Sequence, residues 1–215
     1  MQILEPSERP RLRGVSHQWA FGVSLLFGAA LVVAASGARE RVAVAVFAAC
    51  VAGMFGVSAL YHRVTWRPGP RRWLRRLDHA MIYGLIAGTY TPFGLLVLEG
   101  AWRVAVLTTV WTGAAVAIAL KLVWVDAPKW LAAALGVGLG WVGVAAIPQL
   151  ARIGAAGLVP LIVGGLLYTA GSVVYATGRP DPLPAVFGYH EVFHALVIAA
   201  AACQYAAVWV VVVRT

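Results

Sequence analysis

The sequence predicts an all-α fold, a polytopic membrane protein built as a bundle of seven transmembrane helices. Apolar residues make up 61% of the chain and charged residues only 12%, which is about half the charged fraction usual in soluble domains. Runs of about twenty apolar residues recur along the chain, and that length crosses a hydrocarbon core of about 30 Å. Because lipid offers the backbone no hydrogen bonds, each run is expected to be helical.

Short segments rich in charge, Pro or Gly separate these runs. The predicted helices are residues 17–36, 42–62, 79–98, 102–124, 130–149, 155–177 and 189–212. The first run is longer than the apolar core of a cleaved signal peptide, so we expect it to be a retained helix. No internal repeat or linker divides the sequence, and residues 1–215 are predicted to form a single seven-transmembrane domain.

The basic residues predict a cytoplasmic N-terminus. With that orientation 12 of the 17 lysines and arginines fall in inner loops and 5 in outer loops, as the positive-inside rule requires. The inner set is Arg9, Arg11, Arg13, Arg63, Arg67, Arg71, Arg72, Arg75, Arg76, Lys121, Lys129 and Arg179, and the outer set is Arg39, Arg41, Arg103, Arg152 and Arg214. The net charge of +9 is therefore attributed to cytoplasmic loops, and no nucleic-acid partner is expected. The predicted location is the cell inner (plasma) membrane. Residues 63–78 are predicted to be a loop. Its stretch from residue 63 to residue 76 either lies on an anionic leaflet or serves only to set the topology.

Polar and ionisable side chains collect at the cytoplasmic ends of the second, third and seventh predicted helices. Ionisable groups inside a bilayer are costly, so those found there usually mark a site. The residues concerned are Ser58, His62, Asp78, His79, His190 and His194.

The spacing of the histidines favours a metal site. His190 and His194 are four residues apart and share a helix face, and His62 is brought in by another helix. Three imidazoles suit Zn²⁺ and leave a fourth position for water, whose pKa zinc lowers towards about 7. Asp78 is a candidate to accept that proton, and Ser58 could orient a ligand or polarise a substrate carbonyl.

Each of these residues also has a purely structural interpretation. Asp78 could cap the third helix or pair with Arg75, and Ser58 could bond a backbone carbonyl of its own helix. His17 is interpreted as an interfacial hydrogen-bonding residue. His79, which points about 100° away from Asp78 on a helix, is a weak candidate ligand.

The seventh predicted helix contains a second motif. His190, Glu191 and His194 spell H-E-x-x-H, which in soluble metalloproteases supplies two zinc ligands and a glutamate base. The motif is short, and here any third ligand must come from upstream in the chain. An intramembrane metalloprotease using Glu191 is therefore an alternative.

The chain resembles the hemolysin III family, the bacterial branch of the progestin and adiponectin receptor (PAQR) superfamily. The matching stretches are Ser58-Ala-Leu-Tyr-His62, Leu77-Asp-His-Ala-Met-Ile-Tyr83, Ala87-Gly-Thr-Tyr-Thr-Pro-Phe93 and Tyr189-His-Glu-Val-Phe-His194. The resemblance implies seven membrane helices and a zinc ion near the cytoplasmic face. It also implies that His62, His190 and His194 bind the zinc, and that Asp78 and Ser58 assist a ceramidase-like hydrolysis of a lipid amide.

The superfamily's glutamate, asparagine and histidine before the first helix are not kept in residues 11–19, so any role of that motif is in doubt here. Three functions stay open. The favoured one is a zinc-dependent hydrolase of a lipid amide or ester, with membrane lipids as partners. The others are a non-catalytic, receptor-like or pore-forming protein with a structural zinc, and the protease using Glu191.

Overall fold

The computed structural model describes residues 10–214, and nearly all of them are helical. The helices are α1 (Val15–Ala34), α2 (Ala38–Arg63), α3 (Pro68–Leu96), α4 (Gly100–Val123), α5 (Lys129–Gly140), α6 (Ile147–Leu150), α7 (Gly154–Thr177) and α8 (Tyr189–Val212). Within the described range the β pairing is limited to one isolated bridge between Leu183 and Phe187. The all-α prediction is confirmed. Arg9 and the two ends of the predicted domain, residues 1–9 and 215, lie outside the described residues.

Five stretches are long and apolar enough to cross a membrane. They are Val15–Ala34, Ala38–Arg63, Gly100–Val123, Lys129–Thr177 and Tyr189–Val212. The fourth of these is 49 residues long and runs from α5 through α7. Helix α3 is not among them, because its first half is strongly basic and its second half contains polar tyrosines and threonines.

The prediction that residues 63–78 form a loop was wrong. Helix α3 begins at Pro68, eleven residues before the predicted start at residue 79. Proline suits the first turn of a helix, where its missing N–H costs nothing, and arginine is a good helix former. Hydropathy marks where a helix enters lipid, which is a different boundary from where the helix begins.

An ion pair joins the basic first part of α3 to the loop after α4. The Arg75 guanidinium lies 2.8 Å from the carboxylate of Asp126, and this contact holds the pKa of Asp126 below its ordinary value. The Asp126 side chain is 67% exposed, so the ion pair fixes geometry and adds little stability.

The prediction of one continuous helix over residues 130–149 was also wrong. Helix α5 stops at Gly140, and a 3₁₀ turn over Val142–Ala146 leads into the four-residue α6. Pro148 lies in the first turn of α6, and a proline inside a longer helix would have removed a hydrogen bond and clashed with the preceding turn. The break therefore lies just before a proline that disfavours a continuous helix, although α3 and α7 contain Pro92 and Pro160 without a break.

The Tyr90 hydroxyl compensates for this break. It donates to the Gly140 carbonyl at 2.6 Å and accepts a hydrogen bond from the Gly143 backbone N–H at 2.8 Å. Both backbone groups would otherwise lack a helical partner, which is tolerated at membrane depth only where neighbouring helices supply one.

Consecutive helices pack side by side, and α1 also contacts α8, which closes the bundle. At one end the N-terminal segment, residues 10–14, meets the loop before α8. There the Arg11 and Leu12 amides donate to the carbonyls of Ala185 and Val186. At the other end the Arg214 guanidinium donates to the Ile153 carbonyl. Lys129 at the start of α5 donates to the Tyr189 hydroxyl at the start of α8, so the segment from α5 to Ile153 runs from one end of the bundle to the other.

We expect Tyr90→Phe to lower the free energy of unfolding by about 1–3 kcal/mol, because two backbone groups at the helix break lose their hydrogen-bond partner. Thermal unfolding of the purified protein measures this loss. Tyr205→Phe is the matched control, since the Tyr205 ring packs against Phe27 and Trp209 away from the break. Equal melting temperatures for the two variants would show that the hydroxyl bridge is unimportant.

Candidate metal centre

Three imidazole rings meet at one end of the bundle. His62 lies in the last turn of α2, and His190 and His194 lie in the first two turns of α8. One ring nitrogen of each residue lies within 4.8 Å of the others, and the Nε2 atoms of His62 and His190 are 3.3 Å apart. The structure thus brings together the three histidines that the sequence singled out as ligands.

The donor set fits a zinc ion. Zinc–nitrogen bonds of about 2.0–2.1 Å in tetrahedral geometry place two ligand nitrogens about 3.3 Å apart, which matches the separation between His62 and His190. His194 is 2% exposed, and its Nδ1 atom has no hydrogen-bond partner among the described residues. Buried polar atoms are seldom left unpaired, and a cation bound through this nitrogen would give it a partner.

Asp78 lies beside the cluster, in the part of α3 that faces the cavity. Its Oδ2 atom is 3.7 Å from His62 Nε2 and 3.6 Å from His79 Nδ1. Both separations exceed a direct hydrogen bond, and the side chain is only 11% exposed. The carboxylate is therefore held next to the imidazoles without being one of the three clustered ligands.

His79 is positioned away from the cluster by its own helix. Its Nδ1 atom is 2.8 Å from the Arg75 carbonyl one turn earlier in α3, so that nitrogen donates to the backbone. Its ring lies edge-on to Tyr175 of α7. The arrangement explains why His79 is absent from the cluster although it follows Asp78 in the chain.

Sequence reasoning missed the role of His17. This residue is 2% exposed, and its ring stacks on His194 with centroids 3.7 Å apart and planes 13° apart. Its Nδ1 atom is 2.8 Å from the Ser58 hydroxyl, so Ser58 has a side-chain partner from another helix. The signal was available, since the predicted topology already put His17 at the same end as the other histidines.

Glu191 is occupied by structural contacts. Its Oε1 atom lies 2.5 Å from Arg13 Nε, and its Oε2 atom accepts the Gly188 amide at 2.9 Å. The residue is 1% exposed. Its carboxylate therefore caps the first turn of α8 and holds the N-terminal segment against that turn.

The N-terminal segment passes directly over His62. Gly14 has a φ of +77°, a left-handed conformation that favours glycine. A Cβ atom on Gly14 would lie 2.5 Å from the Cβ atom of His62. Glycine is thus required twice at this position, for the backbone turn and for the close approach to a member of the cluster.

A cavity of about 410 Å³ opens from the cluster into the bundle. Its polar end is lined by His17, Ser58, Asp78, His190 and His194. Most of its remaining wall is apolar and is built from α3, α7, α8 and the broken segment after α5. The far end is lined by Leu98 and Leu150. Such a shape suits a ligand with one polar end and a long apolar tail.

The fold and this site define the class of the protein, an α-helical protein with several apolar spans and a histidine cluster at the polar end of an internal cavity. Comparison with known proteins identifies the family. A family model described as haemolysin-III related matches residues 7–205, so the chain belongs to the hemolysin III family of membrane proteins.

Two named relatives agree with this assignment. The chain is 30% identical over 169 residues to a hemolysin-3 homolog of Bacillus subtilis (strain 168), covering 78% of this chain and 76% of the relative. It is also 30% identical over 190 residues to hemolysin-3 of Bacillus cereus, covering 86% of this chain and 84% of that protein.

We expect Gly14→Ala to lower the melting temperature by about 5 °C, since left-handed strain and the clash with His62 together cost about 2 kcal/mol. Gly22→Ala is the matched control, because a Cβ atom there meets nothing within 4 Å and alanine favours the helix. The same melting temperature for both variants would rule out the tight approach at Gly14.

Proposed function

We propose that this protein is a zinc-dependent membrane hydrolase that cleaves an amide or ester bond of a lipid. One observation carries the proposal: a carboxylate and three imidazoles lie together at the head of a mainly apolar cavity of about 410 Å³. The polar side chains would bind the amide or ester group of a lipid, and the apolar part of the cavity would hold its acyl tail.

The proposed topology is seven spans with the N-terminus in the cytoplasm of a cell, in its inner (plasma) membrane. The end-to-end course of the chain between α5 and Ile153 supports counting that broken segment as a span. The second half of α3, residues 80–96, carries no charged side chain, which supports counting α3 as another. The excess of basic residues around the histidine end supports the orientation.

Zinc is proposed as the bound metal, with His62, His190 and His194 as its ligands. The nitrogen-only donor set and the 3.3 Å separation of two of its atoms support this choice. A zinc ion bound there would polarise a carbonyl and make water more acidic.

The chain's own residues divide the remaining tasks. Asp78 accepts the proton of the attacking water, since its carboxylate lies beside His62 and is shielded from solvent. Ser58, held by His17 at 2.8 Å, orients the substrate carbonyl. The apolar wall of the cavity holds the acyl chain and excludes bulk water from the polar end.

A cytolytic or receptor-like function with a structural metal is the second candidate, and the hemolysin names of both relatives are what favour it. Chelation would then lower thermal stability, and lipid extracts incubated with the protein would yield no hydrolysis product. The protease alternative is disfavoured, because both carboxylate oxygens of Glu191 have structural partners.

Elemental analysis of the purified protein tests the metal. We expect about one zinc per chain in the wild type and less than about a tenth of that in His190→Ala, since a buried three-histidine site loses a ligand. His79→Ala is the control and should keep its zinc, because His79 lies outside the cluster. Equal zinc in wild type and His190→Ala would refute the site.

Hydrolysis of an N-acyl lipid in nanodiscs tests the catalytic residue. We expect Asp78→Asn to lower kcat by about 10²–10⁴-fold while zinc content stays unchanged, because a general base is lost. The matched comparison is Glu191→Gln, which should keep its turnover and lose some thermal stability. Full activity in Asp78→Asn would contradict the assignment, and loss of activity in Glu191→Gln alone would make Glu191 the general base in place of Asp78.

A further inference from the structure

Two polar atoms deep in the cavity have no protein partner. Gln204 is 4% exposed, and its Oε1 atom makes no hydrogen bond within residues 10–214. The hydroxyl of Tyr168 is likewise buried and unpaired over the same range. Both residues line the cavity. Leaving such groups unpaired in an apolar interior is costly, so their presence needs a reason.

The Gln204 amide is held in one orientation. Its Nε2 atom donates to the Leu161 carbonyl at 3.2 Å, which fixes the amide nitrogen on that side. Gly164 leaves just enough space, since a Cβ atom there would lie 2.5 Å from Gln204 Nε2. The Oε1 atom of Gln204 is consequently a hydrogen-bond acceptor without a donor among residues 10–214.

Tyr168 supplies the complementary group. It lies one turn from Gly164 on α7, and Gly164 contacts Gln204 on α8. Both side chains line the cavity, and Tyr168 is about 6 Å along the helix axis from the glycine that contacts Gln204. The phenol can donate a hydrogen bond and the amide oxygen can accept one, so a hydroxyl group that reaches both atoms would satisfy both.

The depth of this pair can be measured along α8. Gln204 is ten residues beyond His194, which corresponds to about 15 Å of helix, or about half the thickness of a hydrocarbon core. The cavity continues past the pair to Leu158 near the start of α7. A ligand that reaches Gln204 from the histidines therefore has apolar space on both sides of it.

We propose that Tyr168 and Gln204 form a polar subsite for a hydroxyl group in the middle of an acyl chain, so that the preferred lipid is a mid-chain hydroxylated acyl compound. This inference rests on the proposed function, because it assumes that the polar end of the lipid lies at the histidines. An extended chain advances about 1.2 Å per bond, as an extended residue of three bonds spans about 3.3–3.6 Å. A depth of about 15 Å then corresponds to a hydroxyl about twelve bonds from the polar end.

Binding of free fatty acids to the full-length protein tests the subsite. The probes are stearic acid, 12-hydroxystearic acid and 2-hydroxystearic acid, each measured by displacement of radiolabelled stearic acid from protein in nanodiscs. We expect the wild type to bind 12-hydroxystearic acid about tenfold more tightly than stearic acid, because two hydrogen bonds form in a dry cavity. The hydroxyl of 2-hydroxystearic acid would lie near the histidines and not near Gln204. We therefore expect this acid to bind less than about threefold more tightly than stearic acid in the same displacement assay.

Variants identify the residues responsible. Tyr168→Phe and Gln204→Met should each reduce the preference for 12-hydroxystearic acid to less than about threefold, with stearic acid binding unchanged, since each removes one of two hydrogen bonds. Tyr205→Phe is the matched control, because Tyr205 is the neighbour of Gln204 but is outside the cavity lining, and it should keep the full preference.

Two outcomes overturn the inference. In the first, the wild type binds all three acids equally, as expected if water alone satisfies the pair. In the second, the preference persists in both variants. The assay involves no bond cleavage, so its failure is distinct from the failure of the hydrolase proposal, which is decided by Asp78→Asn and the elemental analysis.

Discussion

The burial of imidazole rings in an apolar bundle is the constraint on which the site depends. His17, His190 and His194 are each less than about a tenth exposed, where bulk water cannot serve as their partner. Polar groups buried in this way must satisfy one another or bind a cation. His17 Nδ1 meets the Ser58 hydroxyl, and the Nε2 atoms of His62 and His190 face each other. His17 Nε2 and His194 Nδ1 have no hydrogen-bond partner among residues 10–214.

The N-terminal segment determines the geometry around those rings. Arg13 pairs with Glu191 at the start of α8, and Gly14 allows the backbone to pass against His62 at the end of α2. Three distant parts of the chain are thus fixed relative to one another within a few ångströms. A site built in this way is sensitive to the packing of a segment that supplies none of the three clustered imidazoles.

The broken segment after α5 shapes the cavity that leads away from the site. A continuous helix would bury its own backbone groups, whereas this segment exposes the Gly140 carbonyl and the Gly143 amide to Tyr90. Its irregular course supplies part of the cavity wall. Tyr168 and Gln204 line the same cavity, so the proposed hydroxyl subsite would share its cavity with the irregular backbone.

The sequence by itself determined the helical class, most helix ends and the identity of the clustered histidines, because lipid burial forces a hydropathy pattern and a four-residue spacing puts His190 and His194 on one face. It did not give the start of α3 at Pro68 or the break at Gly140, since helicity outside lipid and the hydrogen bonds of Tyr90 leave no trace in hydropathy. Tertiary structure alone decided that His17 contacts Ser58, that Arg13 and Gly188 bind the Glu191 carboxylate, and that Gln204 and Tyr168 line one cavity. Those contacts join residues far apart in the chain, and their distances depend on how the helices pack.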